Sequence, residues 1–254
     1  MSDSVLYVAP VLLDPAQHRS RKVVELTDFS VARKMHAAFL TATEFPQAAL
    51  DFAILFIPTG EHDAMGRGVM SPIVLLGLTP GENLHVEGER WDARYIPAFV
   101  RRYPFLSADV KNLAAPGVFV DAAWSGFSES AGEPLFDADD KPAPALVRVM
   151  DFLERFDLEA QRTRAFCERV VELGILKEMK ADVTLPGDKS LVVEGFFAVD
   201  EEKLQALPDA TVLELHRNGL LMLLQVHLLS MANVRHLVMR KTRRLQLEGA
   251  TPAA

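Results

Sequence analysis

The chain has 254 residues, 49% of them apolar and 24% charged, with a formal net charge of −8. That balance suits a globular fold with a sizeable core and excludes a largely disordered chain. The acidic excess argues against a nucleic-acid partner held through its phosphates, and a single cysteine, Cys167, excludes an internal disulfide or a thiolate metal cluster.

The first residues carry no basic stretch followed by a long apolar run, so no signal peptide and a cytoplasmic location are expected. Residues 1–4 and 247–254 read as loose ends. Residues 7–13 read as a short strand. Residues 30–41 read as a helix capped by Asp28 or Ser30, with Val31, Met35 and Phe39 on one face. Phe45-Pro46 breaks it. FAILFI at 52–57 is a buried strand, followed by a Gly-rich, charged loop over 59–70. Residues 73–78 form a second buried strand, and Pro80-Gly81 sits where a type II turn needs it, which suggests a hairpin over 73–86. A further turn at 87–90 lets 91–95 pair back. Residues 97–103 form a short helix stopped by Pro104, and 118–122 another strand.

Residues 124–144, with their glycines, prolines and the acidic run 137–140, are weakest in regular structure. The fold class expected is therefore α+β: a β-rich half over 5–123, a connection over 124–144, and a helical half over 145–245 with the 183–197 hairpin, together one compact domain. The clearest helix spans 145–173, with Gly174 just past its end. A hairpin over 183–197 turns at Pro186-Gly187-Asp188-Lys189. Asp200 caps a short helix, and Pro208-Asp209 restarts another.

Residues 220–240, LLMLLQVHLLSMANVRHLVMR, read as one helix that is apolar around most of its circumference. Such a helix belongs inside a protein, with the rest of the chain packed around it. Gln225, His227, Ser230, Asn233 and Arg235 interrupt it, which disfavours a membrane span. On a helical wheel Gln225, His236 and Arg240 form a solvent stripe, and His227 and Ser230 lie on the apolar side. If the helix runs back through Gly219, His216 joins them about three turns away.

Candidate catalytic residues are thus His216, His227 and Ser230, as acid, base or metal ligands. The competing reading is a set of satisfied core groups that fix helix packing, and the lack of a third ligand at a recognisable spacing favours it. Candidate ligand-binding residues are Arg164, on a stripe with Asp157, Gln161 and Glu168; the adjacent Arg101 and Arg102; and Asn83 and His85 in the polar 77–105 segment. For Arg164 the plain alternative is an i,i+4 contact with Glu168. His85-Val86-Glu87 could begin a non-haem iron triad, though strand alternation alone puts His85 and Glu87 on one side. No metal set, Gly-rich nucleotide loop, nucleophile elbow or zinc motif is present, and no cofactor can be named.

The blocks PGENLHV, RYIPAFVRRYPF, GEPLFDADDKP, QRTRAFCERVVELG, GFFAVDEEKLQALPD and ELHRNG…HLLSMANVRHL together resemble the SapC family of bacteria, over roughly residues 7–240. The resemblance implies an accessory protein beside outer-membrane receptor and cupin-type or halogenase-like systems, and supplies no catalytic residues. The expected function is a cytoplasmic accessory or binding protein that offers an apolar patch or cleft to a protein partner. The first alternative is a metal-dependent or acid–base enzyme with its site between the two halves. The second is a surface-layer-associated protein, as the family name suggests. A rod found open to water, or histidines lining a solvent-filled hollow, would favour the enzyme.

Overall fold

The computed structural model describes residues 6–111, 115–185 and 189–250. The expected loose end at 1–4, residues 251–254 of the one expected over 247–254, and the turn residues 186–188 lie outside them, whereas residues 247–250 are helical. The fold is α+β. In chain order it holds β1 (Pro10–Leu12), α1 (Pro15–His18), β2 (Lys22–Val23), β3 (Ala37–Phe39), α2 (Phe45–Ala48), β4 (Ile54–His62), β5 (Gly68–Leu75), β6 (Val86–Glu87), β7 (Arg90–Trp91), α3 (Ala98–Arg101), β8 (Phe105–Ala108), β9 (Gly117–Asp121), β10 (Phe127–Ser128) and β11 (Glu133–Pro134). Then come α4 (Pro144–Glu172), β12 (Leu176–Leu185), β13 (Lys189–Val199), α5 (Glu201–Gln205), α6 (Asp209–Arg217), α7 (Leu220–Ser230) and α8 (Asn233–Ala250).

The central antiparallel sheet runs β12-β13-β4-β5-β3. Strands from both ends of the sequence share it, because Phe197 of β13 pairs with Phe56 of β4. The unbroken apolar runs of β4 and β5 follow from cover on both faces. Ile54, Phe56 and Val74 pack with Phe166, Cys167 and Val170 of α4 and Leu224 of α7. Leu55, Ile73 and Leu75 pack on the other side, with Leu237 of α8. A smaller sheet, β1-β9-β8, packs Phe105 and Val120 against Leu146 and Leu153 near the start of α4.

α4 follows its sequence signals. Pro144 occupies the first turn, where a missing N–H costs nothing, and Gly174 takes φ +64 just past the last turn. The β12–β13 hairpin is longer than expected at both ends. Gly81 takes φ +82, as the third position of the expected type II turn demands.

Four expectations need correction. Residues 30–41 are not a helix: one 3₁₀ turn over Ser30–Ala32, held by Asp28 on the Ser30 N–H, leads into β3. Ala37, Ala38 and Phe39 pair with Leu75, Val74 and Ile73, and that long-range ladder overrides a local spacing of four. Pro46 opens the short α2 instead of merely ending a helix. Most of the 59–70 loop is hairpin, since β4 continues to His62 and β5 starts at Gly68. The hairpin over 73–86 is absent: β5 pairs with β4 and β3, while Val86 and Glu87 pair with Trp91 and Arg90.

The rod at 220–240 also differs. Its helix is interrupted at Met231 and Ala232, whose N–H groups reach back only three residues, to Leu228 and Leu229. Within α7 only Leu224, His227 and Ser230 are buried. The outer face is open, with Leu229 75% and Met222 56% exposed. The central sheet, α2 and α6 contact α7, and Leu220, Leu221, Leu223, Val226 and Leu228 are partly buried against the core. By length and composition the helix Leu220–Glu248 could cross a membrane, with 28% of its most apolar window buried.

Candidate functional site

The histidine reading fails to assemble. Gly219, at φ +79, breaks the chain between α6 and α7, so His216 sits exposed on α6. His227 is fully buried on α7. Its Nε2 accepts the Val199 N–H at 3.0 Å, and its ring lies 5.1 Å from that of Phe56. Burial pushes its pKa down to about 4, opposed by the Ile54 backbone, so the ring is neutral at neutral pH. Ser230, also fully buried, accepts the Ile54 N–H at 3.0 Å and donates to the His227 carbonyl at 2.6 Å. Together they bolt α7 to β13 and β4. Among the described residues no acid or arginine bonds either side chain.

Arg164 is exposed and lies 3.5 Å from Glu61 and 3.4 Å from Glu168, so its charge is answered on the surface. Arg101 and Arg102 border a groove of about 550 Å³ between residues 23–29 and the start of α4. Arg101 stacks over Tyr95 and Phe152 and donates to the Ile96 carbonyl. Arg102 is buried 4.3 Å from the Phe99 ring centre. Cys167 is buried and its thiol is pushed up to about 12 by desolvation, which leaves it inert.

Asn83 and His85 lead to a different place. Asn83 is fully buried. Its amide donates to the Ala32 carbonyl at 3.1 Å, and its Oδ1 accepts the His85 N–H at 2.8 Å. His85 packs edge-on against Phe52, 4.7 Å between ring centres. Burial, then the Arg240 charge, lowers its pKa to about 4. His85 is buried and Glu87 is exposed, so the two do not share a face. Above this packed turn runs α8.

The contacts between α8 and the turn are polar. Lys241 bonds Glu82 at 2.5 Å, and Glu82 also accepts the Leu78 and Thr79 N–H groups. Burial alone would raise the Glu82 carboxyl, but Lys241 and Thr79 outweigh it and hold it low. Arg240 bonds the Asp92 carboxylate at 2.7 Å and its carbonyl at 3.0 Å, which lowers the Asp92 pKa. Arg244 donates to the carbonyls of Asn83 and Val86. From the far side Arg33 donates to the Gly88 carbonyl at 2.8 Å.

Arg33, Asp92, Arg240 and Arg244 wall a groove of about 940 Å³. Five arginines line it (Arg33, Arg94, Arg240, Arg243 and Arg244) along with the carboxylates of Asp51, Glu87, Asp92 and Glu248. Arg94 is matched to Asp51, Arg240 to Asp92, and Glu87 to Arg90 outside the groove. Among the described residues, Arg33, Arg243 and Arg244 have no carboxylate within 4 Å. Three guanidinium groups are therefore available to an anion in a chain whose net charge is −8. Leu50, Met239 and Leu247, each more than half exposed, supply an apolar rim.

Asn83 and His85, two of the candidate ligand-binding residues, support this groove from below, whereas the arginines that line it are not among those candidates. Four of the five, at 33, 94, 243 and 244, come from three distant segments and have no local spacing in common. Arg240 had been placed on a solvent stripe. Among the described residues no three His, Cys, Asp or Glu side chains gather as a metal set.

A family model described as SapC matches residues 13–237. No curated protein and no solved structure matches the chain.

Proposed function

The chain belongs to the SapC family, and on that premise we propose that it is a non-catalytic accessory protein that binds an acidic, partly apolar segment of a partner protein in the groove beside α8. The observation that carries this reading is the set of three guanidinium groups without carboxylate partners, Arg33, Arg243 and Arg244, opening on one groove with an apolar rim. A guanidinium presents a planar fork of donors that matches a carboxylate. Arg33 and Arg244 already spend one or two donors on backbone carbonyls, which fixes their direction and lowers the entropy lost on binding. Leu50, Met239 and Leu247 give an apolar side chain next to the carboxylate a surface to cover. Among the described residues, the carboxylates lining the groove include Asp51 and Asp92, each paired with an arginine. We take the cytoplasm as its location; native protein recovered in the envelope fraction of cells would contradict that.

The test uses a fluorescein-labelled peptide of repeating Asp and Leu. Anisotropy should report binding that weakens as salt rises. Arg243→Glu should weaken it about tenfold, on the order of 1.4 kcal/mol. The same peptide with Asn in place of Asp should not bind. Equal binding by wild type and R243E, or by the Asn peptide, would sink the proposal.

A further inference from the structure

We propose that the groove beside Arg101 binds a small carboxylic acid with an apolar tail, of the medium-chain acyl class, its carboxylate on the Arg101 guanidinium and its tail along the start of α4. This site is separate from the groove beside α8, with which it has no lining residue in common. Its volume, about 550 Å³, is that of a small-molecule site, and such sites are mostly apolar with a few polar groups that fix orientation. Val24, Leu26 and Phe29 form one wall, from the irregular segment after β2. Val149, Phe152 and Leu153 form the other, on one face of α4. From Ala145 to Leu153 that face is about 12 Å long. Val24 is 38% exposed, and Leu26, Phe29, Val149 and Phe152 are only partly buried, so apolar surface is left for a ligand to cover.

Arg101 supplies the polar end. Its guanidinium lies 5.4 Å from the Phe152 ring centre and 5.7 Å from that of Tyr95. Nε donates to the Ile96 carbonyl at 2.9 Å, and Nη2 to the Tyr95 hydroxyl at 3.3 Å. A guanidinium has five N–H donors, so among the described residues three remain on its terminal edge, the fork that takes a carboxylate. The rings and the two bonds hold that fork in place beforehand, which lowers the entropy lost on binding. Among the described residues Arg101 forms no ion pair. Glu44, the acid that the Tyr95 hydroxyl bonds, is buried and already occupied by that hydroxyl, the Ala98 N–H and Thr41.

The other charges on the groove set the direction of the ligand. Arg148 is spent on both oxygens of Glu133, each at 2.7 Å. Arg102 is buried against the Phe99 and Phe156 rings. Glu25 is exposed and close in the chain to Val23, which pairs with Glu133. Glu25 and Glu133 thus mark one end of the groove. Arg101 stands over Phe152, one turn of α4 beyond Arg148, at the other end. A ligand carboxylate is repelled from the first end and held at the second, and the tail runs back past Val149 and Val24.

Isothermal titration of the full chain with decanoate should show one site. Decanol, which is the tail without the charge, and acetate, which is the charge without the tail, should each bind at least about tenfold more weakly. Arg101→Gln should weaken decanoate about tenfold. Val24→Asp, at an exposed position on the path of the tail, should weaken it by a similar factor. Both variants should keep the wild-type melting temperature. Arg243→Glu should leave decanoate binding as it is, and R101Q should leave the Asp–Leu peptide bound, so the two grooves stand or fall separately. Equal decanoate affinity in wild type and R101Q overturns the inference. So does decanol as tight as decanoate, loss of decanoate in R243E, or no heat of binding from decanoate at all.

Discussion

The two buried histidines should make the protein sensitive to mild acid. His227 and His85 are buried and neutral, each with a pKa near 4 where an exposed histidine has 6.5. Both values are depressed by folding, so the unfolded chain binds more protons between pH 6.5 and 4. Stability is fully present above pH 6.5 and is lost as the pH falls through that window. The difference is worth about 3 kcal/mol per histidine, and two of them approach the whole stability of an ordinary domain, about 5–15 kcal/mol. Near pH 5.3 the unfolded imidazoles are almost all charged and the folded ones almost all neutral. Each histidine then adds a slope of about 1.4 kcal/mol per pH unit. Carboxylates also titrate at the lower end of the window, so the informative comparison is with His227→Gln. That variant offers a neutral acceptor to the Val199 N–H. Urea unfolding at a series of pH values from 7.5 to 4.5 should show the variant's stability falling less steeply, by about one proton. Parallel curves for wild type and H227Q would refute the reasoning, as would an NMR titration placing either ring above pH 6.

Three further outcomes follow from single contacts. Ser230→Ala strands the buried Ile54 N–H and should cost about 1–3 kcal/mol in urea unfolding, with no change in secondary structure by circular dichroism. Asn83→Ala removes the donor to Ala32 and the acceptor for the His85 N–H, and should cost a similar amount while loosening hydrogen exchange at residues 83–88. Gly77→Ala drives a methyl group into the Glu82 backbone carbonyl; overpacking of this kind costs about 1–3 kcal/mol, and the displaced Glu82 should lose its bond to Lys241. A melting curve reads the first effect, and the shift of the Lys241 ammonium in NMR the second.

What could be read from the sequence was local. Pro144 and Gly174 bracket α4 because first-turn proline and post-helix glycine act within a few residues. Asp200 caps α5 through the Glu202 N–H for the same reason. The strand at Ala37–Phe39 was hidden, since its partner lies at Ile73–Leu75 and the spacing of Val31, Met35 and Phe39 fits a helix as well. His216 and His227 were aligned on a wheel that assumed passage through Gly219, and a left-handed glycine cancels that phase. The apolar circumference of α7 was legible, but that Met222, Gln225 and Leu229 face outward was not. The groove was invisible for a similar reason. Arg33, Arg94 and the arginines of α8 meet only because α8 lies across the 82–92 turn, held there by Lys241 on Glu82 and Arg240 on Asp92.

The claim that Arg33, Arg243 and Arg244 await an acidic segment is tested most directly by NMR of arginine Nε–H groups, assigned one by one through substitution, during titration with the Asp–Leu peptide. The account predicts that these three resonances move together and saturate, while those of Arg148 and Arg162, already matched to Glu133 and Glu159 on the surface, stay in place. Movement of all five alike, or of none, would contradict it.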